Sequence, residues 1–187
     1  IGGGRMSVMT LGDASGVGVS GSNVRGNTVD FGNGQIDALV DRLLIARSRT
    51  NSSGMTIQGT LTFGGASLGS VIDANTVIVG DQDFDNQGTG AISGPSGTIN
   101  VNSNATLKVN GTLHLGYTTA IAVGPPTSPE NCSGALNINN GGIVMASNIL
   151  AGGVTKLSVA NNISVNNSGK LIVTNFFGAA DAPINSL

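Results

Sequence analysis

Apolar and polar residues alternate along most of this chain, in short runs separated by Gly, Asn and Ser. Runs such as TINVN, TLKVN and TLHLG, within residues 98–116, place Val, Ile or Leu at every second position. Alternation with a period of two over five or six residues is typical of a β-strand with one buried face. Gly and Asn suit the turns between strands because they tolerate a positive φ angle. The pattern therefore predicts an all-β protein.

Two short motifs, which we call the first and second anchors, recur along the chain at intervals of 34 to 38 residues. The first anchor is an apolar run that ends in a small residue, at Gly12, Ala46, Gly80, Gly116 and Gly152. The second anchor is a glycine followed by an alternating run, and it occurs as GTLTF (59–63), GTINV (97–101), GALNI (134–138) and GKLIV (169–173). A fixed interval of this length is the signature of a protein that stacks identical supersecondary units.

Alignment of the copies sorts the apolar residues into columns. Alternation puts two of these columns on the same strand face, and strands stacked about 4.7–4.9 Å apart would join each column into a continuous apolar ridge. The two columns are Met9, Leu43, Val77, Leu113 and Ile149, and Leu11, Ile45, Val79, Leu115 and Ala151.

These columns predict a right-handed parallel β-helix, a solenoid formed by residues 1–187 as one repeat domain; the hand follows the general preference of parallel crossovers. A β-sandwich is the alternative fold. The repeat length fits either one long coil or two coils of about eighteen residues. Neither end of the sequence resembles a cap, so we expect the helix to continue beyond one or both ends or to stack on neighbours.

Residues 35–46 fit two secondary structures. The segment QIDALVDRLLIA has apolar residues at the three- and four-residue spacing of a helix. The repeat instead makes Leu43 and Ile45 strand residues. We favour the strand because four other copies agree with it.

Composition limits the classes of function. Charged residues make up 10% of the chain and the net charge is −2, which does not suit nucleic-acid binding. The longest apolar run is broken by Asp41 and Arg42, so we expect no membrane insertion by this segment. Cys132 is the only cysteine and aromatic residues make up 3%. Because no constellation of catalytic residues is evident, we expect a protein that is not an enzyme.

The runs NNGGIVMASNILAGG (139–153) and ISVNNSGKLIVTN (163–175) resemble the passenger regions of bacterial autotransporters and related giant surface proteins. The resemblance implies a parallel β-helix that is exported to an extracellular or cell-surface location. From the repeat and the uncapped ends we expect a structural or adhesive role as a stiff scaffold, an assembly surface or a fibre subunit. Expected partners are further copies, end to end or side by side, and glycans or other surface proteins. The resemblance implies no catalytic residues.

The segment DQDFDNQG (81–88) is the candidate metal site. Asp81, Asp83 and Asp85 are two residues apart, as in loops that bring several carboxylate oxygens to calcium. The EF-hand pattern then fails, with Asn86 in place of glycine and Ile92 in place of glutamate. A solvated turn is the alternative interpretation. Calcium is the one cofactor that the sequence suggests, and a calcium-stabilised module is one alternative function.

A third column lies between the two core columns and should face outward. It runs through Thr10, Leu44, Ile78, His114 and Leu150. An outward position that is apolar in three of five copies indicates cover by loops or by another chain, so Leu44, Ile78, His114 and Leu150 form a candidate assembly face. A single histidine makes no metal site. A carbohydrate-active β-helix is the other alternative function; it needs a carboxylate cluster, and only residues 81–85 offer one.

Overall fold

The structure, a computed structural model, describes residues 4–14, 24–48, 56–65, 67–82, 94–118, 132–152, 161–179 and 184–186. These ranges contain β-strands and turns and no helix. The twelve strands are β1 (Met6–Ala14), β2 (Val24–Phe31), β3 (Asp37–Ser48), β4 (Thr56–Phe63), β5 (Ser70–Gln82), β6 (Ser96–Val101), β7 (Ala105–Thr118), β8 (Ser133–Ile138), β9 (Ile143–Ala151), β10 (Asn161–Val165), β11 (Lys170–Ala179) and β12 (Ile184–Ser186).

Successive strands alternate between two six-stranded sheets. Sheet A has the order β1-β3-β5-β7-β9-β11, and sheet B has the order β12-β10-β8-β6-β4-β2. Every strand pairing in the described residues is parallel. This disfavours the β-sandwich, which uses antiparallel sheets. Residues 37–48 form a strand, as the repeat predicts. Each repeat contributes one strand to each sheet.

The predicted columns are confirmed by the pairing register of sheet A. Leu43 lies between Met9 and Val77, and Leu113 lies between Val77 and Ile149. Leu43, Val77, Leu113 and Ile149 are all fully buried in one apolar core with residues of sheet B such as Leu61 and Leu136. Strand β11 extends the column with Phe177, beside Ile149. The core therefore lies between the two sheets and runs along the stack.

The second anchor is confirmed in three of its four copies. Gly59, Gly97 and Gly134 are neighbours in sheet B. The assignment of GKLIV was wrong, because this segment begins β11 of sheet A, where Lys170 pairs with Ile143. The strand that follows β8 in sheet B is β10, where Asn161 takes the glycine position. Both kinds of strand start with a glycine and an apolar alternation, so the short motif did not distinguish them.

Each sheet A strand contains an interruption of its alternation. In β3, Val40 and Leu43 face the core, and the two residues between them are not fully buried. Strand β7 has one residue more than β5 at this place, since Ala74 pairs with Val109 while Val77 pairs with Leu113. The interruption recurs at the same level in successive strands, so the bends stay aligned along the stack.

Turns from sheet B to sheet A are short and built on asparagine. Asn139–Gly142 and Asn166–Gly169 each close with a hydrogen bond from the last N–H to the first carbonyl. Asn140 and Asn167, the second residues of these turns, have φ angles of 53° and 47°. The Asn167 side chain donates to Asn140 Oδ1 at 3.2 Å. Hydrogen bonds between asparagines, or asparagine ladders, thus connect equivalent turn positions.

The two sides of the stack differ in the length of their connections. Connections from sheet B to sheet A range in length from residues 102–104, the shortest, to residues 64–69, the longest. Connections from sheet A to sheet B run from 180–183, the shortest, to 119–132, the longest. Length variation along the chain is therefore greater on the side where sheet A strands end.

The small residues of the first anchor all adopt a left-handed conformation. Gly12, Ala46, Gly80, Gly116 and Gly152 have φ angles of 73°, 59°, 77°, 56° and 83°. At these corners the backbone of sheet A contacts the start of sheet B; a Cβ atom on Gly80 would lie 2.2 Å from the carbonyl oxygen of Ser133. Gly80 therefore requires both a positive φ and the absence of a Cβ, whereas the equivalent corner on β3 accommodates Ala46.

We predict unequal effects on stability for two substitutions in this corner column. Gly80→Ala should lower the free energy of unfolding by about 2–4 kcal/mol, because it combines a backbone clash with a strained φ. Ala46→Gly removes the strain of an alanine at φ 59° and should change stability by less than about 1 kcal/mol. Urea unfolding of both variants measures the difference. Equal losses in the two variants would contradict the corner constraint.

Candidate functional site

The predicted assembly face is a column in the structure, and the chain itself covers part of it. Leu44 pairs with Ile78, Ile78 with His114, and His114 with Leu150. Leu44 is 0% exposed and Ile78 is 4% exposed. His114 and Leu150 are partly buried. Only the half of the column on β7 and β9 therefore leaves side-chain surface for a partner; an assembly role for it stays a prediction.

His114 lies in an environment that favours its neutral form. Its ring packs on Tyr117 with 4.3 Å between ring centroids, and the column neighbours are Ile78 and Leu150. The Nδ1 atom is buried and has no hydrogen-bond partner. Removal from water lowers the pKa of His114 to about 4, because a charged imidazolium would lose its hydration without gaining a partner.

The candidate calcium site can be placed at one of its three residues. Asp81 lies at the end of β5 with a side chain 2% exposed, and its Oδ2 is 3.6 Å from Nε of Arg47 on β3. Asp83 and Asp85 lie outside the described residues. A carboxylate that faces an arginine is already compensated and is a weaker calcium ligand than a free one. Within the described ranges, no group of three or more His, Cys, Asp or Glu side chains could hold a metal ion.

A polar cluster that sequence reasoning missed lies on the outward face of sheet A. Its centre is Asp73 of β5, which accepts hydrogen bonds from Lys108 Nζ at 2.9 Å and from Asn110 Nδ2 at 2.7 Å. Arg5, just before β1, also donates to the Asp73 carboxylate. The cluster joins three strands of the sheet.

Arg5 reaches across the sheet to make these contacts. Its guanidinium also donates to the backbone carbonyls of Val40, at 3.0 Å, and Asp73, at 2.9 Å. The hydrogen bond from Arg5 is the largest influence on Asp73; partial burial opposes it, and Lys108 and Asn110 reinforce it. Together they lower the pKa of Asp73 to about 2.

The polar face continues beyond Asp73 through hydrogen bonds along the stack. Asn110 Nδ2 is 3.3 Å from Asn75 Oδ1, and Asn75 donates to Asp41 Oδ1 at 2.9 Å. The Ser147 hydroxyl donates to the Asn110 carbonyl at 2.7 Å. The carboxylates of this face accept hydrogen bonds from neighbouring side chains and are not positioned beside a nucleophile. The arrangement therefore fits structural cross-linking or recognition better than catalysis.

Two features of the sequence hid this cluster. The bulge in β7 brings Lys108, and not the Val109 expected from a 36-residue step, beside Asp73. The contact with Arg5 spans 68 positions and two strand spacings. Neither the one-residue offset that brings Lys108 beside Asp73 nor the reach of Arg5 has a local signal in the sequence.

Comparisons of this chain with protein-family models, with curated proteins and with solved structures found no match. Among the residues that the structure describes, none belongs to a helix with the length and apolar character needed to span a bilayer.

We predict that Asp73 stabilises the fold in a pH-dependent manner. Its folded pKa of about 2 lies below the value of 3.8 for a free side chain, so the contribution is present above about pH 4 and lost as the pH falls through 2. Asp73→Asn should lower the free energy of unfolding by about 1–2 kcal/mol at pH 7. The wild type and the variant should converge near pH 2 in urea unfolding.

Asp41→Asn is the matched control, since Asp41 lies on the same face and accepts from one neutral donor, Asn75. It should cost less than Asp73→Asn at pH 7. A deficit of Asp73→Asn that persists unchanged at pH 2 would contradict the assignment.

We also predict that acid weakens the fold through His114. Because its folded pKa of about 4 is below the free value of 6.5, the unfolded chain takes up the proton first, and stability falls as the pH drops from 6.5 towards 4. The loss at pH 5 should be about 1–2 kcal/mol.

His114→Leu, which introduces the residue found at Leu44 and Leu150, should lack this component of the pH dependence. The chain has a single histidine, so an NMR titration reads its imidazole directly. A midpoint near 6.5 in the folded protein would show that the ring is hydrated and would contradict the prediction.

Proposed function

We propose that this protein is a structural or adhesive element of the cell exterior: a right-handed parallel β-helix that serves as a stiff scaffold, an assembly surface or a fibre subunit. The observation that carries the proposal is the in-register stacking of identical columns. Each fully buried core side chain of β5, such as Val77, has an equivalent on the strand above and on the strand below. A stack of this kind is suited to forming an extended and stiff support along one axis.

Closure of each repeat into a single coil is supported at both sides of the core. On one side, turns of a few residues connect sheet B to sheet A. On the other side, the sheets meet in backbone contact: a Cβ on Gly134 would lie 2.6 Å from the Val79 carbonyl and 2.8 Å from the Gly116 amide nitrogen. Parallel strands joined through crossovers are right-handed in nearly all proteins, which supports the proposed hand.

Stiffness is expected from the way the stack distributes its contacts. The fully buried residues of one strand pack against both neighbouring strands, so a single repeat cannot leave its place without exposing the apolar face of the next one. Asparagine ladders add a second connection, for example Asn137 Nδ2 to Asn100 Oδ1 at 2.8 Å and Asn100 Nδ2 to Thr62 Oγ1 at 3.0 Å. Bending the stack would strain these hydrogen bonds as well as the core.

An adhesive role is supported by the repetition of the outer polar groups. Partly exposed amides recur in sheet B at the strand spacing of about 4.8 Å, as at Asn100 and Asn137. Such a row offers donors and acceptors in a regular series, which suits partners that themselves repeat, such as glycans. Neutral amides also recognise hydroxyl-rich ligands without a charge requirement.

Negative-stain electron microscopy of the protein purified from its source tests the proposal, together with antibody labelling of intact source cells. The expected result is rods or fibres and labelling without permeabilisation. Compact isolated particles that cleave a soluble polysaccharide would contradict the scaffold role and support the carbohydrate-active alternative. Labelling that requires permeabilised cells would contradict the extracellular location.

A further inference from the structure

The two outer strands of sheet A, β1 and β11, expose large apolar side chains. In the described residues, neither strand pairs on its outer side. On β1, Met6 is 52% and Val8 is 41% exposed; on β11, Phe176 is 50% and Phe177 is 42% exposed. Exposed aromatic residues of this size at a strand edge mark a surface that can bind another chain.

Charged residues lie only near the ends of these two strands, with Asp13 late in β1 and Lys170 at the start of β11. The segments 6–12 and 171–179 contain no charged residue. Soluble proteins normally place lysine, proline or a bulge on an exposed edge strand to block pairing. Just before β1, the guanidinium of Arg5 is directed along the sheet to Val40 and Asp73 of the same chain.

The columns of sheet A match the two edges to each other. The column that begins with Met9 on β1 ends with Phe177 on β11, and the column that begins with Met6 ends with Val173. One residue before Met9 and Phe177 stand Val8 and Phe176. A strand β1 added beyond β11 in the same register would therefore meet apolar side chains with apolar side chains.

We propose that a second copy of this chain adds its β1 in parallel to β11, with Phe177 beside Met9, Phe176 beside Val8 and Val173 beside Met6 of the added copy. This inference rests on the proposed scaffold function and names its partner and contact register. The contact is head to tail and does not close on itself, so repetition yields filaments. With six strands per sheet, the axial repeat should be about 28–29 Å.

Sedimentation velocity of the 187-residue chain over a concentration series, with electron microscopy of the same samples, tests the contact. The wild type should form filaments with the stated axial repeat. Phe176→Lys changes an exposed position, so circular dichroism should show that the variant remains folded. It should assemble only at a concentration about tenfold higher than the wild type, or more. Leu68→Lys is the matched control, because Leu68 is 61% exposed and lies between β4 and β5, away from both edges. It should assemble like the wild type.

A mixture of two variants tests the register itself. Val8→Glu alters the β1 edge and should also fail to assemble alone. In a filament in which Phe176→Lys and Val8→Glu alternate, every contact is either the original apolar one or a lysine beside a glutamate. Assembly should therefore return in the mixture and weaken as salt is added.

A wild type that stays monomeric at every concentration, or one in which Leu68→Lys blocks assembly as strongly as Phe176→Lys, would overturn the inference. Assembly by both edge variants alone would do the same, and failure of the mixture to recover would overturn the register. Source material that forms rods while the recombinant chain does not stack would leave the scaffold function standing and reject this contact alone.

Discussion

Parallel pairing of successive strands in one fixed register is the constraint on which the rest of the structure depends. Because strand neighbours come from successive repeats, any residue in the sequence has the corresponding residues of the adjacent repeats beside it. A buried valine is thereby placed next to buried valine or leucine, and a turn asparagine next to another asparagine. A shift of one residue would turn each core column outward at once, so the repeated sequence and the register sustain each other.

The same stacking explains where polar groups can be accommodated. Asparagine in the later turns donates a hydrogen bond from its amide to the amide of the equivalent asparagine in the adjacent turn. Charged residues are few, and some on the sheet faces are paired across strands: Asp73 with Arg5 and Lys108, and Asp81 with Arg47. His114 differs from these residues, since its column neighbours are aliphatic and leave its imidazole without a counter-charge. Its titration is accordingly expected to report the state of that part of the sheet.

Much of the fold could be predicted from the sequence because period and register carry the same information. The columns through Leu43 and Ile45, the left-handed small residues and the asparagine turns all followed from the spacing of the repeats. The prediction failed where the spacing changed: Ile149 and Phe177 are neighbours in sheet A although only 28 positions separate them, and GKLIV was consequently placed in the other sheet. The Asp73 cluster was missed because it depends on a bulge and on the reach of one long side chain, neither of which has a local signature.

The unequal connections on the two sides of the stack divide the chain into a part that is fixed and a part that is free to vary. Turns from sheet B to sheet A range only from residues 102–104 to residues 64–69, and asparagines of the later turns pair across successive repeats. Connections in the other direction vary more, from residues 180–183 to residues 119–132. Sequence can be gained or lost there without disturbing the register. Related proteins with this stack could therefore carry connections of different length and sequence on one side while keeping the same core and the same strand register.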